Sequence, residues 1–322
     1  MKNNDRREFI KIGLVTATGI GLLSRANVFA HAENLAANIT GNTMPKRKLG
    51  KTGFDVSLFG LGGQATLERS GTRDLSIEII NRAIDLGVNY IDTAARYGGG
   101  RSETRIGEVM QHRRSEVFLA TKSNDYTYDG TMQLFEQSLN RLNTDYIDLY
   151  QVHNIRSQRH LDTIFSKNGS LKAFEQLKSE ESIGYIGITG HKDPALLKKA
   201  IEQFNFDCIL LSLNVADVHY LPFQHELLDT AVKQNLGIIA MKIPSRGRIF
   251  RYDGVTTMKQ ALWYVYSFPI STGIVGIDDL DQLEENVQLT RDFQRYNEQQ
   301  MHEIEQLTAH YSRDGNWFKY DW

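Results

Sequence analysis

The chain has 322 residues, 41% hydrophobic and 24% charged, with a formal net charge of −2. This balance permits a large buried core and argues against wholesale disorder, and the absence of a basic block removes the electrostatic footprint expected of a nucleic-acid binder. A single cysteine, Cys208, excludes an intramolecular disulfide and a cluster ligated by several cysteines of one chain.

The first element is "DRREFIKIGLVTATGIGLLSRANVFAHA": paired Arg6 and Arg7, then Phe9 and Lys11, an apolar stretch too brief to span a bilayer comfortably, and Ala30-His31-Ala32. This order resembles a twin-arginine export signal over residues 1–32, cleaved after Ala32. An amphipathic or membrane-anchoring helix is the competing reading. The export reading implies the Tat machinery as a partner, a periplasmic or otherwise exported location, and no stable membrane span after cleavage. That route carries folded proteins, which suits a protein that must acquire a cofactor before export. Residues 33–45 are small and polar and read as a linker. The remainder, 46–322, is expected to form one folded unit.

From residue 46 a short hairpin, "KRKLGKTGFDVS", precedes an alternation of apolar runs and amphipathic segments. The spacing predicts strands at 56–63, 88–93, 117–122, 146–153, 185–190, 208–213, 237–242 and 272–277. Helices are expected at 76–87, 102–111, 131–142, 170–180, 194–204, 222–235, 258–268 and 279–293. In the first helix Ile79, Ile80, Ala83, Ile84 and Leu86 follow the one-faced helical template. Parallel strands need crossover helices, so strict alternation argues for a parallel sheet, and eight repeats favour closure into a (β/α)8 TIM barrel. Such barrels run to about 250 residues as one unit. The alternative, an open doubly wound sheet, calls for G-x-G-x-x-G after the first strand, and "GLGGQATL" lacks that spacing. The hairpin is expected to cap the barrel floor, and the chain to end in a C-terminal helix and an aromatic tail, 311–322.

Chemistry in such a barrel gathers at the C-terminal ends of the strands. Asp92 follows the second run, Lys122 closes the third, His153 the fourth and Thr189 the fifth, while Tyr97 lies beside a triple glycine in "NYIDTAARYGGGRSE". A free phenol titrates near ~10 and donates reluctantly at neutral pH. Lys122 is expected to lower the pKa of Tyr97, Asp92 to hold the lysine charged, and His153 to donate a second hydrogen bond to the same oxygen. This group can protonate an alkoxide as hydride reaches a carbonyl carbon, which implies a nicotinamide cofactor. Each residue alone has a plainer reading. Asp92 can cap a helix or pair with Lys122 for stability, Tyr97 can be a half-buried surface aromatic, Lys122 a loop charge, and His153 or Met241 core. His191 is equally a site or a loop residue.

The ordered motifs "RKLGKTGFDVSLFGLGG", "GVNYIDTAARYGGGRSE", "VFLATK", "LNTDYIDLYQVHN", "SIGYIGITG" and "QLEENV" resemble an aldo-keto reductase across about residues 45–293. The resemblance implies an NAD(P)H-dependent oxidoreductase acting on a small carbonyl or alcohol substrate, with Asp92, Tyr97, Lys122 and His153 as catalytic tetrad and Tyr97 as general acid/base. It implies cofactor contacts at Gly62, Thr189, Gly190, Met241, Lys242, Gly276, Asp278, Gln282, Glu285 and Asn286. Several depart from the family pattern. Thr189-Gly190 replaces Ser-Asn, Leu210 a glutamine, Met241 the stacking aromatic and Lys242 a small polar residue. Gln282 stands where arginine often holds a 2′-phosphate, and Asp278 and Asp279 favour NAD, whereas Lys242, Arg246 and Arg248 offer positive charge for NADP. NADP is the expected cofactor with NAD open. No metal is called for, since His219, His225 and His302 lack ligand spacing. A nicotinamide-binding sensor with little turnover and an oxidoreductase that never releases its nucleotide are the other readings. Trp317, Phe318, Tyr320 and Trp322 are expected either to line the pocket mouth or to dock on the barrel or a partner subunit.

Overall fold

The computed structural model describes residues 43–320. The expected signal peptide, residues 33–42 of the expected linker and Trp322 lie outside the described residues. Eight parallel strands close into a barrel: β1 Phe59–Ala65, β2 Tyr90–Asp92, β3 Phe118–Ser123, β4 Ile147–Val152, β5 Ile183–Gly190, β6 Cys208–Ser212, β7 Gly237–Met241 and β8 Thr272–Ile277. Neighbours follow chain order, and β8 closes onto β1. Most strand residues are buried because helices cover the outer face while side chains fill the interior, which is why these strands read as continuous apolar runs.

The first expected strand divides. Val56 pairs with Arg47 in an antiparallel hairpin, Lys46–Lys48 with Asp55–Ser57, and β1 starts only at Phe59. The first helix spans Arg73–Asp85 and buries Ile79, Ile80, Ala83 and Ile84. It begins ahead of Ser76, whose hydroxyl bonds back to the carbonyls of Thr66 and Thr72. The helix expected at 222–235 is confined to Glu226–Lys233, because the amides of Phe223 and Gln224 are drawn instead to Asp217 Oδ2 at 2.8 and 3.1 Å. A short helix Gln158–Ile164, capped by Ser157, was not expected from the periodicity. The C-terminal helix is Glu298–Gln306, started by an Asn297/Gln300 capping box.

The hairpin seals the floor. Leu49 is buried among Tyr90, Phe118, Cys208 and Leu210 inside the barrel. Buried Arg47 donates to the carbonyls of Tyr266, Phe268 and Ile270 at 2.9, 3.3 and 2.9 Å, so three carbonyls at and after the end of the helix Met258–Tyr266 share one guanidinium. Gly50, at φ +51°, lets the turn touch β7, where a Cβ would fall 2.3 Å from the Gly237 nitrogen. With this end closed, a ligand enters from the opposite, C-terminal end of the strands. Among the described residues no helix is long and apolar enough to cross a membrane.

Candidate active site

Asp92 is the last residue of β2, Lys122 lies near the end of β3, and His153 follows β4 directly. Tyr97 opens a tight turn in which Gly98, Gly99 and Gly100 take φ +58°, +67° and +94° in succession. Three left-handed residues in a row reverse the chain into the helix Arg101–Arg113, a path that side chains would resist. The reversal leaves Tyr97 facing the mouth. A Cβ on Gly98 would also sit 2.3 Å from the Glu68 carbonyl oxygen.

Asp92 and Lys122 are fully buried and form an ion pair through Oδ1 and Nζ. Lys122 Nζ also donates to the Thr93 carbonyl at 2.6 Å, and Gln151 Nε2 donates to Asp92 Oδ2 at 3.1 Å. Burial pushes the carboxyl up and the ammonium down, and each partner opposes the other's shift. Tyr97 is half-buried, edge-on to His153 with ring centroids 5.8 Å apart, and Lys122 Nζ lies 5.2 Å from its ring centroid. The phenol is raised above its ordinary range by burial, then by the charges of Asp92 and Glu68. Lys122 therefore does not depress it as expected: its charge is compensated by Asp92, and desolvation of a phenolate outweighs what remains. His153 is buried and neutral, held well below the usual imidazole value by burial and by Lys122, Arg96, Lys242 and Arg156. Its Nδ1 has no hydrogen-bond partner within the described chain.

These groups adjoin a cleft of about 800 Å³, large enough for an extended ligand. Gly62, Met241, Lys242, Gly276, Asp278, Gln282, Glu285 and Asn286 line it together with Asp92 and Tyr97. Thr189 and Gly190 do not. Thr189 Oγ1 accepts from the Asn154 amide at 2.7 Å, and Gly190 packs on Leu197. His191, from the same strand end, lines the cleft instead. Gly62 has a packing reason to be glycine, since a Cβ would meet the Gly276 nitrogen of β8 at 3.0 Å. Met241 is buried beside Leu210, Ile239 and Ile274 and also reaches the cleft.

At the far end Gln282 Oε1 accepts from the Asp278 amide at 2.8 Å, and Asp279 caps the helix Leu280–Arg291. Asp278 pairs with Arg69 at 2.6 Å, so its charge is already answered. Asn286 is 1% exposed, and its Oδ1 has no partner within the described chain. A buried, unpaired acceptor in a cleft wall matches a ligand amino donor such as that of adenine. Lys242 is pushed down to about 7, first by burial and then by Arg246.

Sequence reasoning missed Gln151, Glu68, Arg69 and Met258, all but the first of which line the cleft. Gln151 carried a signal, a polar residue inside the apolar run of β4. The others come from loops and a helix start with no periodicity to mark them. Among the described residues no group of three or more His, Cys, Asp or Glu is placed to hold a metal.

The sequence profile of the aldo/keto reductase family matches residues 58–254. An uncharacterised oxidoreductase of Bacillus subtilis is 29% identical over 313 residues, covering 84% of this chain and 98% of that protein. Pyridoxal 4-dehydrogenase of Microbacterium luteolum is 24% identical over 245 residues, covering 63% of this chain and 71% of its own. Among solved structures, an aldo-keto reductase of Bacillus halodurans in its holo form aligns with a TM-score of 0.71 at 24% identity, over 82% of this chain and 96% of that one. An aldo-keto reductase of Klebsiella pneumoniae in complex with NADPH aligns with a TM-score of 0.70 at 18% identity, over 84% and 96%. At these identities the two structures bear on the fold.

The buried pair makes a stability prediction. Lys122→Met leaves the Asp92 charge uncompensated and should cost about 3–5 kcal/mol, measured by urea unfolding. Adding Asp92→Asn should recover part of that loss, and purely additive losses in the double variant would show that the two side chains are not coupled.

Proposed function

The chain belongs to the aldo/keto reductase family, and on that premise we propose that it interconverts a carbonyl and an alcohol on a small substrate by hydride transfer, with Tyr97 as general acid and base. The observation that carries this reading is the meeting of a cleft-lining phenol with the Asp92–Lys122 pair and a buried neutral histidine at one strand-end mouth. A nicotinamide nucleotide, when bound, supplies or accepts the hydride. The residues present fit one: Asn286 offers the buried acceptor for the adenine end, Lys242 and Arg246 offer charge to phosphates, and Met241 offers a polarizable surface to a ring. Positive charge from Lys242 and Arg246, with Asp278 and Arg69 paired to each other, favours NADP over NAD.

In the reductive direction Tyr97 is protonated at neutral pH, because burial disfavours its phenolate. It therefore holds a proton for a carbonyl oxygen that is becoming an alkoxide, a much stronger base. The Lys122 ammonium behind the ring stabilises the phenolate that donation leaves, and Asp92 fixes that ammonium in place. His153, kept neutral first by burial and then by four nearby cations, acts as a neutral donor that orients the carbonyl oxygen. In oxidation Tyr97 takes the proton back. The commitment of Thr189 to the Asn154 amide leaves the expected carboxamide contact rearranged and supports, as a second reading, a nucleotide-binding sensor with little turnover.

We also infer export by the twin-arginine route from Arg6, Arg7 and the Ala30-His31-Ala32 site, all outside the described residues. Recovery of the protein only with the cytoplasmic fraction on cell fractionation would sink that inference.

Tyr97→Phe should lower kcat/KM for carbonyl reduction by about 10²- to 10⁴-fold while nucleotide affinity, read by fluorescence titration, stays unchanged. Retained turnover would remove Tyr97 from the proton path, and tight binding with no turnover by the unaltered protein across a panel of aldehydes and ketones would favour the sensor. Lys242 makes a pH prediction. Its free-state pKa of about 7 should rise beside nucleotide phosphates, so binding must take up a proton once the pH exceeds that value. Affinity should then fall by up to about tenfold per pH unit above neutrality, and Lys242→Met should flatten the profile. The same steep profile in the variant would assign the proton to another group.

A further inference from the structure

The loop after β7 carries much of the cleft wall, including Lys242, Pro244, Arg246, Gly247 and Phe250. Its backbone is strained. Lys242, Ser245 and Arg246 adopt φ +65°, +48° and +56°, and Gly247 follows at +82°. Three left-handed residues that are not glycine within five positions persist only where surrounding contacts over-determine them.

Those contacts come from the end of the chain. The Gly315 carbonyl accepts from Ser245 Oγ at 2.7 Å and from Asn214 Nδ2 at 3.0 Å. Trp317 Nε1 donates to the Ser245 carbonyl at 3.4 Å, and the Trp317 ring lies 4.7, 5.4 and 6.0 Å from the cationic ends of Arg248, Arg246 and Lys242. Tyr311 Oη donates to the Ile249 carbonyl and accepts from the Val255 amide, at 3.0 and 2.9 Å, spanning the loop's return. Asp314 pairs with Arg251.

The tail is in turn anchored to the loop after β6. Lys319, fully buried, bonds Asp217 Oδ1 at 2.6 Å and the carbonyls of Tyr220 and Leu221 at 2.7 and 3.1 Å. Asn316 Nδ2 donates to the Ala216 carbonyl at 2.6 Å, and Tyr320 stacks on Tyr220 at 4.3 Å. Gly315 must be glycine for this seat, because a Cβ would fall 2.5 Å from that of Ala216.

We propose that residues 311–320 are a clamp that holds the β7 loop in its strained, cleft-facing conformation, with Trp317, Tyr311 and the Ser245–Gly315 hydrogen bond as positioning groups and Lys319–Asp217 as the anchor. Resting on the nucleotide reading of the cleft, the clamp sets how slowly a nucleotide leaves, since the β7 loop supplies Lys242, Arg246 and Phe250 to the cleft wall and the tail resists its movement. A protein working where no nucleotide pool exists would benefit from such retention.

Two readouts test the clamp. Trypsin applied to nucleotide-free protein reports exposure of the loop at Arg246, Arg248 and Arg251, and displacement of bound NADPH reports its dissociation rate. Trp317→Ala and Ser245→Ala should each accelerate loop cleavage and speed NADPH release, the former by about tenfold. KM should rise for nucleotide but not for the carbonyl substrate, and Trp317→Phe should restore most of the effect by keeping a ring. Arg47→Met, which loosens the opposite end of the barrel, serves as the control for general destabilisation. Cleavage and release no faster in the tail variants than in that control would overturn the clamp. An unaltered protein that binds no NADPH would instead overturn the nucleotide reading, with the proteolysis arm still deciding whether the tail holds the loop.

Discussion

The buried pair of Lys122 and Asp92 is the constraint around which the rest of the mouth is arranged. Two opposite charges in a dry interior are tolerated when they pair and gain further hydrogen bonds, and here the Thr93 carbonyl and Gln151 supply them. That requirement ties the ends of β2, β3 and β4 to one geometry. It also places an ammonium behind the Tyr97 ring, with two of its three N–H donors directed at Asp92 and Thr93. Remove the pair and the Tyr97 ring loses the ammonium behind it, while burial alone still favours a neutral His153.

The two ends of the barrel are built for opposite purposes. At the floor the hairpin fills the interior with Leu49 and spends one guanidinium on three carbonyls, leaving no opening. At the mouth the backbone is strained instead of relaxed, through the glycine turn after Tyr97 and the left-handed run after Met241. Strain of this kind concentrates where a surface must be held in a shape the chain would not choose. The first case is relieved by glycine. The second uses bulky residues and depends on outside contacts, which is why the C-terminal tail matters to a site whose lining includes none of its described residues.

Much of this was legible in the sequence. All eight strands were visible as apolar runs because parallel strands are buried on both faces. Of the residues gathered at the mouth, Asp92, Lys122 and His153 could be named because each sits at or beside a strand end, and Tyr97 because it adjoins a triple glycine. The exceptions have local causes. The first run was split by a hairpin that the hydrophobic pattern cannot distinguish from a strand, and the helix expected at 222–235 lost its start to Asp217. Thr189 looked available to a ligand, but its hydroxyl accepts from a neighbouring amide, a bond between residues 35 apart that no local pattern predicts. The sign of the Tyr97 shift could not be read either: a nearby lysine suggested a lowered pKa, whereas burial and the compensation of that lysine by Asp92 raise it. Arg69 was invisible for the same reason, because its partner Asp278 is brought to it only by closure of the barrel. Gln151 showed only as a polar residue in an apolar run, with no sign of its partner Asp92.

The most direct measurement is nucleotide occupancy of the purified protein, denatured and analysed for released NAD(H) and NADP(H) by mass spectrometry. The account predicts close to one nucleotide per chain, predominantly NADP(H). A protein that is empty and also fails to take up either nucleotide at saturating concentration would contradict it, leaving the buried pair and the strained loop as features of a fold that no longer serves hydride transfer.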